Sequence, residues 1–406
     1  MKILIIGSGG REHALTWRLW KSADVTELIA MPGNPGIEAM ATCIPGMADI
    51  RGYASFAEQS GIDLTIVGPE APLVHGIVDE FRTRGLQIIG PTKAAAQLEG
   101  SKIFAKKFFQ RAGIPTARSV ETTSTEDALR CLQEFPLPVV IKADGLAGGK
   151  GVIIANTMED AESAIQKLGK NLVIEEFLEG EEVSFIGLSD GSNFFPFSPS
   201  QDHKRIFDGD AGPNTGGMGA YADTRILSAK QSGQVMDKIM LPALAQMNKE
   251  GTPFTGFLYA GLMMTAAGPR LLEFNVRLGD PEAQALLHSM EGDLATFLVS
   301  PAEVKVQFPS PSVCIVLAAQ GYPDAPKTGD VISGIKEAEA AGAVVFQAGT
   351  KREDGHLVTH GGRVLGVTAS GEDLRTAVDR AYAAAAKISF NGMQFRTDIG
   401  AKGLRR

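Results

Sequence analysis

Short continuous apolar runs, punctuated by glycine and proline, alternate with stretches of helical period from the first residue onward. Lys2–Ile6 is apolar at every position after the lysine and reads as a strand buried on both faces, and residues 11–21 follow with helical spacing. Leu28–Ala30, Leu64–Val67 and Leu86–Ile89 are further runs of this kind, each closing in a turn: Pro32–Gly36, Gly68–Glu70 and Gly90–Pro91. Strands alternating with helices predict a parallel sheet. Such sheets take ligands at the carboxyl ends of their strands, where all of these turns fall. Residues 1–98 are therefore expected to form a Rossmann-like domain.

Helices are predicted over 93–99 and 101–112, joined by Gly100. The texture then changes. Over residues 115–182 a strand at Val139–Lys142 and another at Val152–Ala155 flank a glycine-rich loop, a helix spans 159–168, and Leu172–Glu175 makes one more strand. This reads as a small α+β unit inside a central region of residues 99–300, which adds strands at Val183–Gly187, Phe257–Thr265 and Arg270–Asn275. Residues 301–406, with short strands, a Gly361–Gly362 turn and an alanine-rich helix over 372–387, are expected to form a small α+β domain. The fold class is a multidomain α/β and α+β chain.

Composition narrows the function. The 406 residues leave room for two to four domains at about 100–200 residues each. The net charge is −8 and no basic run exceeds a pair such as Lys106–Lys107, so the footprint of a nucleic-acid binder is absent. No apolar run approaches the ~18 residues of a membrane span, and Met1–Ile6 breaks at Gly7, too short for an export signal. Three distant cysteines fit a reducing compartment, and the expectation is a cytoplasmic protein.

Four segments carry candidate chemistry. Gly7-Ser8-Gly9-Gly10-Arg11-Glu12 follows a strand and opens a helix, so its backbone N–H groups favour an anion, with Arg11 as a bidentate partner. Glu12 stands where a dinucleotide fingerprint needs its third glycine, which argues against NAD. Lys142–Val152 contains four glycines and two lysines between strands. It fails the Walker pattern, because Asp144 and Gly151 stand where glycine and Ser or Thr belong, yet it can close over phosphates from above. Glu175–Glu182 holds five carboxylates in eight residues and by itself reads as a solvated turn or as a hinge whose backbone meets a base edge. In the strand around Glu273, that carboxylate and the Asn275 amide share a face with Arg277, an oxygen pair suited to Mg²⁺. The six scattered histidines have no zinc spacing, and no Ser or Cys nucleophile motif occurs.

The order of these pieces resembles the phosphoribosylamine–glycine ligase family of ATP-grasp enzymes. The segments that carry the resemblance are GSGGREHAL from Gly7, PGNPG from Pro32, GPEAPL from Gly68, LEGSK from Leu98, KADGLAGGKGV from Lys142, QDHKR from Gln201, GPNTGGMGAY from Gly212, EFNVRLGDPE from Glu273, HGGRVL from His360 and RTDIG from Arg396. The resemblance implies ATP-dependent ligation of glycine to 5-phosphoribosylamine through glycyl phosphate, the second step of de novo purine synthesis. It implies ATP contacts from Lys106, Lys142, Gly145, Gly148, Gly149, Lys150 and Gly151, adenine contacts from Glu175, Phe177 and Leu178, and ribose contacts from Glu182. Glu273 and Asn275 would hold Mg²⁺ or Mn²⁺, with Arg277 and Lys142 catalytic. Gly9, Gly10, Arg11, Glu70, Asp202, Asn214, Thr215 and Arg277 would face the other substrates. The 115–182 unit would be a mobile lid within an ATP-grasp domain. A monomer is expected, with small-molecule substrates and transient contact with the preceding pathway enzyme.

The sequence departs from the family where an acidic metal ligand commonly precedes the Glu-x-Asn pair: Tyr259-Ala260-Gly261 stands there. Gln347 replaces a usual histidine, which puts any role for that position in doubt. Another ATP-grasp carboxylate–amine ligase, a biotin-type carboxylase and a non-catalytic nucleotide-binding module are the competing readings.

Overall fold

The computed structural model describes residues 1–146, 148 and 151–406. Lys2–Gly7 sits at the centre of a five-stranded sheet whose order is Thr42–Cys43, Glu27–Pro32, Lys2–Gly7, Leu64–Val67, Ile88–Ile89, every pair parallel. Ile3, Leu4 and Ile5 are fully buried, as a strand covered on both faces requires. Connections leave the first strand in opposite directions, and a cavity of about 370 Å³ opens at that switch, lined by Gly7, Ser8, Gly9, Glu12, Pro32, Tyr53 and Pro69 among others.

A nine-stranded antiparallel sheet forms the body of the molecule. Its order is Gly268–Asn275, Thr255–Thr265, Glu181–Asp190, Ser200–Asp202, Gly219–Ala222, Ser312–Ala318, Arg363–Ser370, Val344–Gln347, with Phe194–Pro196 paired to Glu181–Asp190. This sheet runs unbroken across residue 300. The helix Glu282–Ser289 lies between it and the N-terminal helix Gly10–Trp20, with seven of its eight residues buried. Gly10 is needed at that contact: a Cβ there would stand 2.5 Å from Gln284 Nε2.

Residues 119–176 form a separate four-stranded sheet in the order Ser119–Thr122, Leu172–Glu176, Val139–Ala143, Val152–Ala155. Two helices, Thr125–Leu132 and Met158–Leu168, cover one face and enclose a core of their own around Leu132, Ile141, Ile165 and Ile174. Residues 177–180 link this unit to the large sheet. The helix Thr125–Leu132 and the long helical stretch 229–249 were not legible from the sequence pattern. The latter is interrupted by a π turn at Met236–Met240, which breaks the regular period.

Candidate active site

The small sheet, the helix Lys102–Ala112 and the edge strand Gly268–Asn275 face one another across a cleft. Lys106 projects from the helix and Lys142 from the strand Val139–Ala143; both are buried. Their ammonium groups converge on one carboxylate: Lys106 Nζ lies 3.1 Å from Glu175 Oε1 and Lys142 Nζ lies 3.0 Å from Glu175 Oε2. Glu175 is 2% exposed. Its side chain is therefore committed to the two lysines. Lys106 also donates to Thr116 Oγ1 at 2.7 Å, and Thr116 donates to the Leu271 carbonyl at 2.6 Å, which ties the cation to the edge strand. Burial pulls the Lys106 pKa down, only partly offset by Glu175.

The glycine loop is fastened at its start. Asp144 Oδ1 accepts from Ser101 Oγ at 2.9 Å and from the Ile103 N–H at 3.1 Å, and Lys102 Nζ donates to the Gly145 carbonyl at 2.9 Å. Ser101 is itself the N-cap of Lys102–Ala112, so loop and helix share one anchor. Gly145 and Gly148 have positive φ and open space around them, and the Gly151 carbonyl accepts from Ala143 at the loop's closing end. Gly149 and Lys150 lie outside the described residues. Phe177 is exposed and Leu178 half-buried on the 177–180 link.

On the edge strand, Glu273 and Asn275 lie on the same face, as period two requires. Burial would raise the Glu273 pKa, but Lys204, Lys142, Lys102 and Arg277 hold it below the ordinary carboxylate value, so it stands ionised. Gly261 is the cross-strand partner of Glu273, confirming that no third acid faces the pair from that strand. Two oxygens, one of them anionic, suit a cation that completes its shell with water and phosphate oxygens.

Arg277 joins this floor to the N-terminal domain. Its Nε donates to Glu70 Oε2 at 3.1 Å, its Nη2 reaches Asn275 Oδ1 at 3.2 Å, and Glu99 Oε1 lies 3.0 Å away. Glu99 also accepts from the Val276 N–H at 2.7 Å. Burial would lower the arginine's pKa, yet the paired acids raise it further. Sequence reasoning found Arg277 and Glu70 but gave Glu99 no role, although it stands in the LEGSK segment that begins at Leu98.

In the N-terminal glycine turn the Glu12 carboxylate accepts from the Gly9 N–H and from Arg11 Nε, the latter at 2.7 Å. Gly68 and Gly7 leave room for it: a Cβ at Gly68 would meet Glu12 Oε1 at 1.9 Å. This explains why Glu12 replaces the third fingerprint glycine. Arg11 is buried, with Nη1 donating to the Leu278 carbonyl at 3.1 Å.

Asp202 lies at the end of Ser200–Asp202 with its Oδ1 buried and unpartnered among the described residues. Burial, followed by Glu282, pushes its pKa well up, against Lys204 and Arg363. Thr215 donates to the Lys204 carbonyl at 2.8 Å, and Asn214 stands opposite Arg205 at the foot of a hairpin. Two cations missed by sequence reasoning complete this side. Lys204 Nζ is 3.2 Å from Glu182 Oε2. Arg363 donates to the Gly216 and Asp280 carbonyls at 2.6 and 2.5 Å. His203 is buried, its Nδ1 3.2 Å from the Gly219 carbonyl, and burial drives its pKa down to about 4.

The three parts match known families in register. Descriptions of the phosphoribosylglycinamide synthetase N domain, ATP-grasp (A) domain and C domain match residues 1–99, 100–283 and 312–402. The chain belongs to the phosphoribosylglycinamide synthetase family. Among its relatives in this family are the phosphoribosylamine–glycine ligases of Vibrio parahaemolyticus and Pseudomonas aeruginosa, each 48% identical, covering 100% of this chain and 99% of the relative. A crystal structure of the phosphoribosylamine–glycine ligase of Thermotoga maritima superposes with a TM-score of 0.85 at 34% identity, covering 98% of this chain and 100% of that one. The biotin carboxylase domain of Hydrogenobacter thermophilus 2-oxoglutarate carboxylase, at 16% identity and a TM-score of 0.72, shares the fold. The ATP-grasp domain makes the family member an ATP-dependent ligase.

Proposed function

We propose that this chain ligates glycine to 5-phosphoribosylamine, giving glycinamide ribonucleotide, ADP and phosphate through glycyl phosphate. The observation that carries the reading is the cleft in which one buried carboxylate, Glu175, holds two lysines opposite a strand bearing Glu273, Asn275 and Arg277. A triphosphate brings about four negative charges. Each lysine at ~4 Å contributes roughly 4 kcal/mol at an effective dielectric near 20, before desolvation, so the nucleotide competes with Glu175 for both ammonium groups. Adenine lies along the backbone of 175–178, and the ribose hydroxyls turn to Glu182. The glycine loop, Lys150 included, closes over the phosphates.

Glu273 and Asn275 hold Mg²⁺ or Mn²⁺, which when bound offsets charge on the phosphate oxygens. Arg277, braced by Glu70, Glu99 and Asn275, orients the glycine carboxylate for attack on the terminal phosphorus. The ribosylamine nitrogen then attacks the acyl carbon and phosphate departs. This amine approaches from the N-terminal side, past Gly9, Gly10, Arg11 and Glu70, with Asp202, Asn214 and Thr215 opposite. Positioning and charge neutralisation suffice for phosphoryl transfer, and no side-chain nucleophile is required.

In this reading the enzyme is a cytoplasmic monomer built of units 1–98, 99–300 and 301–406, and it receives its labile amine from the preceding enzyme by brief contact. No described helix is long and apolar enough to cross a membrane. ADP release measured with freshly generated phosphoribosylamine is expected to depend on both glycine and the amine. Release that needs neither, or that needs a different carboxylate, would favour another ATP-grasp carboxylate–amine ligase.

A further inference from the structure

The hairpin of Arg205–Phe207 and Ala211–Asn214 leaves the body of the molecule between two residues of the proposed site. Lys204 precedes it and Thr215 follows it, and Thr215 donates to the Lys204 carbonyl from its N–H at 2.7 Å and from Oγ1 at 2.8 Å. Between these feet, Ile206 is buried while residues 207–213 are exposed. One apolar side chain is little to hold a ten-residue projection in place.

The tip is gripped instead by the C-terminal segment Arg396–Asp398. Asp208 accepts from the Thr397 N–H at 2.8 Å and from the Thr397 hydroxyl. The Gly209 N–H donates to Asp398 Oδ2 at 2.9 Å. Asp210 Oδ1 accepts from Arg396 Nη1 at 2.9 Å, and its Oδ2 lies 2.6 Å from Lys402 Nζ. Three successive tip residues are thus each held. Asp210 adopts a left-handed backbone, φ +55°, uncommon for a residue with a Cβ, and its two cationic partners account for its persistence there.

Arg396 is 1% exposed and each of its three nitrogens is engaged in this clasp: Nε and Nη2 donate to the two oxygens of Asp398 at 2.7 Å, and Nη1 also reaches the Arg205 carbonyl at 3.1 Å. A side chain so enclosed does not meet a substrate. We infer that Arg396, Thr397 and Asp398 are positioning residues, a clamp at the far end of the hairpin that sets where Lys204 and Thr215 stand in the active site. The inference rests on the proposed function in reading Lys204, which pairs with Glu182, as part of the reacting centre. A displacement of about 1 Å at such groups costs on the order of a hundredfold in rate.

The test uses the full chain with ATP, glycine and fresh phosphoribosylamine. Asp208→Asn with Thr397→Val loosens the exposed tip while leaving the buried arginine in place; Arg396→Lys and Arg396→Gln form a graded pair. For the tip variant the expected result is ATP affinity within about twofold of wild type, an unchanged melting midpoint, and kcat lowered by about tenfold or more. Arg396→Lys is expected to fall between wild type and Arg396→Gln. If hydrogen exchange shows residues 207–213 released in the tip variant while kcat and all three KM values stay within about twofold of an active wild type, the clamp is overturned alone. A loss of kcat that merely tracks the melting midpoint overturns it too. A wild type inactive with glycine and phosphoribosylamine overturns the proposed function together with it.

Discussion

Two residues concentrate the energetics of the cleft. Among the described residues Glu175 is the carboxylate that pairs with both Lys106 and Lys142, and removing one member of a buried ion pair costs about 3–5 kcal/mol because the remaining charge stays unpaired. Glu175→Gln is expected to lower the melting midpoint in the absence of nucleotide and to enlarge the stabilisation gained on adding ATP, since phosphates restore the missing charge. A thermal-shift series with and without ATP checks this; an unchanged midpoint would mean the lysines have no need of Glu175. Asn275 tests the other wall. Asn275→Ala removes the amide oxygen beside Glu273 and is expected to cut turnover at least about tenfold, equivalent to about 1.4 kcal/mol in the barrier. Its melting curve should stay near wild type, because Asn275 ends an edge strand and is only half-buried. Full turnover at saturating Mg²⁺ would remove it from the metal site.

At the scale of elements, the unit of residues 119–176 has its own core and meets the body through the 177–180 link and a few polar contacts, among them the Lys106–Glu175 ion pair, the Asp144 bonds to Ser101 and Ile103, and Lys142 against the Leu272 carbonyl. Such an arrangement permits rotation as a body, and its chemistry lies in a loop where Gly145 and Gly148 have open space around them. The loop is expected to become resistant to protease when an ATP analogue binds. Equal cleavage rates with and without the analogue would show that it does not close. The Asp144 bonds to Ser101 and Ile103 hold the start of that loop against the helix Lys102–Ala112.

For the molecule as a whole, the junction between the N-terminal domain and the C-terminal strands depends on a neutral histidine. His13 Nδ1 accepts from the Gln347 N–H at 2.8 Å, and Asn34 Nδ2 donates to the Gln347 carbonyl at 2.8 Å. The position where the family's histidine is replaced thus works through its backbone, with its side chain accepting from Thr350. Burial holds the His13 pKa down to about 4 against an ordinary 6.5. The unfolded chain takes up that proton near pH 6.5 and the folded chain does so only near pH 4, so this contribution is full above about pH 6.5 and declines steadily toward pH 4. By pH 5 the loss amounts to about 2 kcal/mol. Urea unfolding of wild type and His13→Gln is expected to show a gap in stability that narrows by roughly this amount between pH 7.5 and pH 5. A gap independent of pH would mean that His13 is not held neutral.

Periodicity and punctuation alone located the central strands and most helices that bear the site, because each is a local pattern: an apolar run ending in glycine and proline, or a carboxylate and an amide two residues apart. The order of the motifs carried the family. The partnerships between them had no local signal. Glu175 looked like part of a solvated acidic run until folding placed two lysines from separate elements against it, and only burial makes that charge pairing obligatory. Glu12 looked like a flaw in a phosphate-binding turn until its carboxylate was seen to accept from the Gly9 N–H. Glu99, Lys204 and Arg363 acquire meaning from partners on other elements. A chain records which groups are available; desolvation, which depends on what the fold packs above and below each group, determines which of them must find one another.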